Sequence, residues 1–306
     1  MENVNINTAA PINKKKNKNA GKYINKTIVY IFLTIVAILS FLPFYWMIIS
    51  SLKQEAEFRQ SVPTFFPQVL NWKNYSYIMD SENSNFWKQL LNTIIVGLMS
   101  TGLGVIITIL TAYAFARLEF KGKNILFTVL LATMMIPGEL YTTTNYITVG
   151  KSALGWNNTY VVLIIPFLVS VYYVYLLRNN FKQIPESLYK AAKVDGCSDM
   201  GFLIKVMVPL TMPTLISITL LKFIGTWNSY IWPQLVNKEE MRLISNWMQS
   251  ASFTDRNAVL SSVAYNDTMS TLKMAAACMV SLPLFVLFIC FRKYIMRGVS
   301  RSGTKG

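Results

Sequence analysis

Long apolar runs constrain this chain more than any other feature of its sequence. A helix needs about 20 consecutive apolar residues to cross the roughly 30 Å of hydrocarbon in a bilayer. Six runs approach that length, and they predict membrane-spanning helices at 27–50, 90–117, 125–146, 159–177, 206–232 and 272–291. Pro137 and Gly138 interrupt the third. With 53% apolar and only 14% charged residues, the composition favours an all-α membrane protein.

The net charge of +15 is distributed unevenly between the two sides of the predicted bundle. The N-terminus, 117–124, 178–205 and 292–306 together hold 19 Lys or Arg against 5 Asp or Glu, whereas the rest holds 10 against 9. Basic residues collect on the cytoplasmic side of membrane proteins, so we expect both termini and the central loop to be cytoplasmic. This pattern explains the charge without a nucleic-acid partner. Residues 1–25, rich in Asn and Lys, are expected to form a disordered cytoplasmic tail before the six-span domain at 26–306.

Several function classes lack the residues they require. The chain has no His, which removes the commonest general base and the usual zinc ligands. It has no glycine-rich phosphate loop with a following Lys-Ser or Lys-Thr, so it carries no ATP site of its own. Cys197, Cys278 and Cys290 all lie outside the predicted external loops, and no disulfide is implied. We therefore expect a protein without catalytic residues, metal or cofactor.

A polar stretch, which we call the 184–213 segment after its residues, lies between the fourth and fifth apolar runs. Good helix formers follow Pro185, and the Asp195-Gly196 pair ends the first predicted helix, because Gly tolerates positive φ. A second short helix is predicted from Ser198 to about residue 205. Pro209 then returns the chain to apolar sequence. The segment is predicted to present a helix, a turn and a helix on one membrane face.

This segment resembles the cytoplasmic EAA loop of ABC importer permeases. The residues that match that pattern are Ala191, Ala192, Asp195, Gly196, Pro209 and Pro213. The block at 223–233, FIGTWNSYIWP, resembles the Trp-Asn block of sugar-importer permeases such as the maltose and glycerol-phosphate family, and the end at 297–306 resembles their tail. The resemblance covers roughly residues 26–306 and implies a type I ABC importer permease fold.

The resemblance also implies partners and a place for coupling. Such permeases work with a second permease, two cytoplasmic ATPase subunits and an extracytoplasmic solute-binding protein, in the bacterial cell membrane. The EAA loop contacts the ATPase, so its counterparts here are the expected coupling residues: Lys190, Ala191, Ala192, Asp195, Gly196 and Pro209. The family usually has Glu where this chain has Lys190. Lys190 is then expected to face an acid or a neutral group on its ATPase, or to make a dispensable contact.

Polar residues inside the spans are candidates for a solute path. Lys222 is the one charge in the fifth predicted span and is followed by Trp227, Asn228 and Tyr230. Hydrogen-bonding groups in such number should face a cavity or a partner helix rather than lipid. Lys222 can either extend to the external interface or meet the solute. Glu139, beside the break in the third span, has the same two alternatives.

Three functions are compatible with six spans. The resemblance favours a permease subunit of an ATP-driven importer of a sugar or a polyol-like solute. A stand-alone secondary transporter or channel is the alternative, although it predicts inverted repeats and paired ionisable residues at the midplane, which the sequence does not show. An intramembrane enzyme is a third, with few acid-base candidates. Aromatic residues in the predicted external loop at 53–88 indicate contact with lipid headgroups or with a soluble partner.

Overall fold

The computed structural model describes residues 18–80, 84–150, 152–250 and 270–300. Within these ranges every regular element is a helix. The α-helices are α1 (Lys18–Ser51), α2 (Glu55–Phe58), α3 (Lys73–Met79), α4 (Phe86–Ala116), α5 (Lys123–Thr133), α6 (Gly138–Val149), α7 (Tyr160–Ile164), α8 (Val171–Lys182), α9 (Glu186–Val194), α10 (Asp199–Phe202), α11 (Val208–Leu210), α12 (Met212–Trp227), α13 (Ile231–Val236), α14 (Ile244–Ser250) and α15 (Ser270–Ser300). Short 3₁₀ turns follow α7 and precede α14, and a π-helical turn joins α10 to α11.

Three helices of the described chain are long and apolar enough to cross a membrane unbroken. They lie at Lys26–Ser51 in α1, Phe86–Ala116 in α4 and Ser270–Tyr294 in α15. They correspond to the first, second and sixth predicted spans. Helix α1 begins at Lys18, inside the tail predicted to be disordered. The first 17 residues of that tail and the C-terminal residues 301–306 lie outside the described ranges.

The other three predicted spans are bent pairs of helices. The two helices of a pair meet at 93° for α5 and α6, at 45° for α7 and α8, and at 82° for Asp199–Leu210 and α12. Counting each pair as one span confirms six, and the structure shows that the fourth and fifth are bent as well as the third. Pro166 lies within the turn after α7, and prolines flank the third bend at Pro209 and Pro213. Proline lacks the backbone N–H that continues a helix.

The bounds of the fifth predicted span, 206–232, are therefore corrected. The chain turns at Thr211, α12 ends at Trp227, and Trp232 belongs to the separate helix α13. The 16 residues of α12 rise about 24 Å, less than the hydrocarbon thickness. Lys222 lies about 15 Å along this helix from its first residue, Met212.

Helix α4 is the centre of the bundle. It packs against α8 and α12, while α15 packs against α1 and α12. Small residues on α4 permit these close approaches, as the sequence of that span suggests. A Cβ added at Gly97 would lie 2.8 Å from Phe223 Cε2 on α12. Most of α1 is exposed, apart from the face that meets α15.

The loop between α1 and α4 folds onto the end of the bundle opposite the 184–213 segment. Glu55 is buried, and its carboxylate accepts hydrogen bonds from the backbone N–H groups of Ser270 and Thr271, at 3.1 and 3.0 Å. A carboxylate at this position stabilises the start of α15 because the first N–H groups of a helix have no partner within it. Phe65 and Phe66 in this loop remain exposed.

Candidate functional site

The first helix of the 184–213 segment ends in a Schellman motif. Gly196 has φ of 72° and stands just after the capping residue Asp195. The Gly196 N–H donates to the Lys193 carbonyl at 3.1 Å, and the Cys197 N–H donates to the Ala192 carbonyl at 2.8 Å. These two bonds satisfy carbonyls that the end of α9 would leave unpaired. The predicted helix and its stop at Gly196 are both confirmed.

The second helix begins at Ser198, as predicted. The Ser198 Oγ accepts a hydrogen bond from the Gly201 N–H at 3.1 Å, which is the contact of an N-capping side chain. The helix then widens into a π-helical turn at Leu203–Met207, just before Pro209. Pro209 has no N–H to donate four residues back, so one α-helical hydrogen bond is missing beside the π-helical turn.

The Asp199 carboxylate joins the two short helices to each other and to α4. It accepts hydrogen bonds from the hydroxyls of Tyr189 on α9, at 2.7 Å, and of Tyr113 on α4, at 3.4 Å. Lys193 forms an ion pair with it at 3.0 Å. The hydrogen bond to Asp199 raises the pKa of Tyr189, and the Asp199 carboxylate likewise raises the pKa of Lys193. One side chain thus links α9, α10 and α4, which also pack together in the core that includes Tyr113 and Phe202.

Two arginines tie the base of the segment to the bundle. Arg117, at the end of α4, donates to the carbonyls of Phe181 and Ile184, at the end of α8. Arg178 on α8 donates in return to the Phe115 carbonyl of α4 at 3.1 Å. A cation at a helix C-terminus satisfies free carbonyls and opposes the negative end of the helix dipole. Each helix therefore caps the other where the chain enters the 184–213 segment.

The outer face of α9 and α10 is exposed and mixed in polarity. Leu188, Ala191, Val194 and Met200 lie on it, and Val194 is 88% exposed. The inner face packs against the core formed by α4, α8 and α12. A short amphipathic helix that is fixed on one face and open on the other is suited to bind a soluble partner.

Lys190 lies on this exposed face. Its Nζ forms an ion pair with Glu186 one turn earlier, at 3.1 Å, and both side chains are largely exposed. Exposed pairs of this spacing contribute about 0.2–0.5 kcal/mol to a helix. Pro209, the last of the predicted coupling residues, is exposed at the other end of the segment.

A cavity of about 340 Å³ lies in the bundle between α4, α8, α12 and α13. Lys222 is on its wall. Its other lining residues are Val96, Ser100, Leu163, Phe167, Val169, Ser170, Tyr173, Gly225, Thr226, Ser229, Trp232, Pro233 and Leu243. The volume is within the range of small-molecule sites, and the wall combines aromatic rings, hydroxyl groups and one cation.

Lys222 is only 7% exposed and is held by backbone carbonyls. Its Nζ donates to the Phe167 carbonyl at 2.7 Å and to the Leu168 carbonyl at 3.3 Å. These carbonyls are at the break between α7 and α8, where helical partners are missing. The Lys222 ammonium is thus buried against the bundle backbone, and whether it meets the external interface or a solute stays a prediction. Charges at the membrane centre cost about 2.5–3.5 kcal/mol on insertion scales, part of which these bonds offset.

Gly104 on α4 provides the room for this arrangement. A Cβ at this position would lie 2.1 Å from Lys222 Cε and 2.7 Å from the Leu168 carbonyl oxygen. Contacts this short do not occur between real side chains, so only glycine fits here with Lys222 in place. By contrast, a Cβ at Gly102 would have no heavy atom within 4 Å.

The other predicted solute-path residues lie away from the cavity wall. Trp227 is 2% exposed and belongs to the core formed with α14 and α15. Asn228 and Tyr230 are exposed beyond the end of α12, and Glu139 is exposed in the first turn of α6. The structure thus brings only Lys222 of this set to the cavity. Whether the other four meet a solute stays a prediction.

Sequence reasoning missed most of the cavity wall. Tyr173 and Trp232 lie more than 50 residues apart in sequence and come together through the bends in the fourth and fifth spans. Thr226 and Ser229 could be found, because their hydroxyls stand out in an apolar run. Within the described ranges, no three or more His, Cys, Asp or Glu side chains are placed to hold a metal ion.

Known proteins resemble this chain in sequence. The family model described as "Binding-protein-dependent transport system inner membrane component" matches residues 104–301, more than half of the chain. The arabinooligosaccharides transport system permease protein AraQ of Bacillus subtilis is 27% identical over 280 residues, which cover 90% of this chain and 94% of that protein. The trehalose/maltose transport system permease protein MalG of Thermococcus litoralis is 28% identical over 274 residues, covering 89% and 94%.

A solved structure shares the fold. It is that of a bacterial ABC transporter involved in the import of the acidic polysaccharide alginate. One of its chains superposes with a TM-score of 0.77 and 23% identity, covering 93% of this chain and 99% of that chain. The predicted all-α permease fold is confirmed by this superposition and by the family match.

Proposed function

The chain belongs to the family of binding-protein-dependent transport system inner membrane components, and we propose that it is a permease subunit of an ATP-driven carbohydrate importer. In this proposal the bundle forms part of the translocation path. The 184–213 segment couples that path to a cytoplasmic ATPase on a separate chain. The single observation that carries the proposal is the construction of this segment.

The segment has the two properties that a coupling element requires. Its inner face is rigidly connected to the bundle, since Asp199 bonds to Tyr113 of α4 and Arg117 caps the end of α8. Its outer face, which includes Leu188 and Val194, is exposed. A displacement of the outer face by a partner is therefore transmitted to α4 and α8, and both helices border the cavity.

Carbohydrate is the proposed solute class on two grounds. The two relatives are named for arabinooligosaccharide and for trehalose/maltose transport, and the structural neighbour belongs to an alginate importer. The cavity wall also suits sugars, because aromatic rings such as Trp232 and Tyr173 contact apolar sugar faces while hydroxyls such as Ser100 and Thr226 pair with sugar hydroxyls.

The proposed assembly follows the family pattern. A second permease, which can be a different chain, completes the path, and two ATPase subunits and an extracytoplasmic solute-binding protein complete the importer. The charge asymmetry supports cytoplasmic termini and a cytoplasmic 184–213 segment in the bacterial cell membrane. Trp227, Asn228, Tyr230 and Glu139 remain candidates for contact with the solute or with the second permease.

Lys190 restricts the charge that the ATPase can present at the coupling contact. A lysine on the exposed face of α9 is unfavourable beside a basic residue, so the cognate ATPase is proposed to present an acidic or neutral group to it. The ion pair with Glu186 would then be exchanged or shared on docking.

Co-purification tests the proposal. The tagged chain, solubilised from its native membrane, should retain an ATPase and a second permease, and the reconstituted assembly should hydrolyse ATP faster when the solute-binding protein and its sugar are added. Recovery of a functional transporter without any ATPase would instead support the stand-alone secondary transporter or channel.

A further inference from the structure

Within the described ranges, the cavity wall holds one lysine ammonium and no carboxylate. Lys222 is the cation, and helices α4, α7, α8, α12 and α13 around the cavity contain no Asp or Glu. Among the residues that the structure describes, the ion pairs found involve other lysines and arginines. Ionisable residues inside membrane spans pair with one another or with backbone carbonyls and commonly mark the path of a substrate or ion, so Lys222 is a candidate for a functional site.

The backbone carbonyls hold the cation without neutralising it. Carbonyl oxygens carry only partial charges, and the two that accept from Lys222, those of Phe167 and Leu168, leave most of its positive charge in place. They fix the position of Nζ at the cavity wall. A lysine has three N–H donors, so two bonds leave one donor for a further acceptor.

The remainder of the wall is suited to a sugar, and its described lining residues include no Asp or Glu that would repel an anion. Ser100, Ser170, Thr226 and Ser229 supply hydroxyls, and Trp232 supplies an aromatic ring whose own N–H is already bonded to the Val162 carbonyl at 2.9 Å. A volume of about 340 Å³ is sufficient for a single sugar unit.

From these observations we propose that the cavity binds an anionic carbohydrate, with Lys222 contacting the carboxylate or phosphate group. The inference rests on the transport function proposed above and narrows its solute class. An anion that enters the cavity pairs with the ammonium in a low-dielectric environment, where such a contact is stronger than in water. A neutral sugar of the same shape gains no such contact.

Ligand-observed NMR on the full chain tests the proposal. The chain, with whatever subunits co-purify, is placed in nanodiscs of phosphatidylcholine, which carry no anionic lipid. One probe pair is galacturonic acid and its methyl ester, which share a shape and differ in charge. The second is glucose 6-phosphate and glucose. The two pairs distinguish a carboxylate from a phosphate as the recognised anion.

We expect at least one anion to bind about ten-fold more tightly than its neutral partner, and added salt to reduce the difference. The variant Lys222→Gln retains amide donors for the carbonyls but lacks the charge, so the preference should disappear. Lys273→Gln, which removes an exposed lysine of α15, should retain it.

The proposal is overturned if neither anion is preferred, if no probe binds, or if the preference survives in Lys222→Gln. If Lys222→Gln misfolds, the affinities of the wild-type protein for the two members of each probe pair still test the proposal. Because binding is measured without ATP, this result is independent of the co-purification test. An importer that retains its ATPase yet prefers neutral sugars would refute only the anionic solute.

Discussion

Replacing Gly104 by alanine should disrupt the contact between α4 and α12. The new methyl carbon would be placed 2.1 Å from Lys222 Cε and 2.7 Å from the Leu168 carbonyl oxygen. Lys222 can leave its two carbonyls, or α4 can move away from α12. Each response breaks contacts that the wild-type protein makes. Gly102→Ala is the matched control, because the same methyl group at that position meets no heavy atom within 4 Å.

The alanine at Gly104 has effects of opposite sign on the free energy of unfolding. Overpacking costs about 1–3 kcal/mol, and a buried carbonyl that loses its donor costs about 1–3 kcal/mol more. The higher helix propensity of alanine returns about 1 kcal/mol. Gly104→Ala should therefore destabilise the protein by about 1–5 kcal/mol, whereas Gly102→Ala should be neutral or stabilising by up to about 1 kcal/mol.

Unfolding of the purified chain in detergent micelles, followed by tryptophan fluorescence, measures both variants. A double-mutant cycle of Gly104→Ala with Lys222→Ala adds a direct test, since removal of the lysine side chain eliminates the shorter contact. We expect a coupling energy of about 1 kcal/mol or more. Equal stability of the two glycine variants, or a coupling energy near zero, would refute the close packing of Lys222 against α4.

Three further predictions concern the 184–213 segment and the orientation of the bundle. Gly196→Val should strain the left-handed turn by about 1–2 kcal/mol and reduce ATP-driven uptake, whereas Gly196→Asn, which tolerates positive φ, should retain it; equal uptake by both variants would show that the turn is only a linker. Lys190→Glu places a second carboxylate four residues after Glu186, so solute-stimulated ATP hydrolysis should fall, and an unchanged or higher rate would contradict the compensated charge. In a cysteine-free background, a cysteine introduced at the exposed Val62 should react with an impermeant reagent added to intact cells, whereas one introduced at Ser187 should not. Labelling at Ser187 would contradict the predicted orientation.

The number of spans could be predicted from sequence, but their shape could not. Run length is a local property, and it identified all six crossings. The bends depend on how each helix packs after a proline, and proline alone does not decide the outcome. Pro43 and Pro283 lie inside the continuous helices α1 and α15, whereas Pro166 and Pro209 lie at breaks.

The 184–213 segment was the most predictable part of the site. Its helix stop at Gly196 and its cap at Ser198 follow local rules of backbone conformation and hydrogen bonding. The connections of Asp199 and Arg117 to other helices were not anticipated. Asp199 has nearby partners on α9, but its partner on α4 and the partners of Arg117 are 64 or more residues away in sequence. No local pattern specifies such contacts.

Lys222 shows what a single sequence leaves open. The sequence identified it as an unusual charge, and the structure adds that its ammonium is buried against backbone carbonyls. Its partners are backbone carbonyls about 55 residues away, at the end of the 3₁₀ turn that follows α7. No residue type marks such an acceptor, so the pairing follows from tertiary structure alone.

Site-specific photo-crosslinking tests coupling through the 184–213 segment most directly. A photoreactive amino acid at Val194, on the exposed face of α9, should crosslink to the ATPase subunit in native membranes, and the yield should change when a non-hydrolysable ATP analogue is added. The same amino acid at the exposed Leu98, within the membrane span α4, should give no ATPase adduct. An absence of adduct at Val194 in an assembly that contains the ATPase and hydrolyses ATP would contradict this account of coupling.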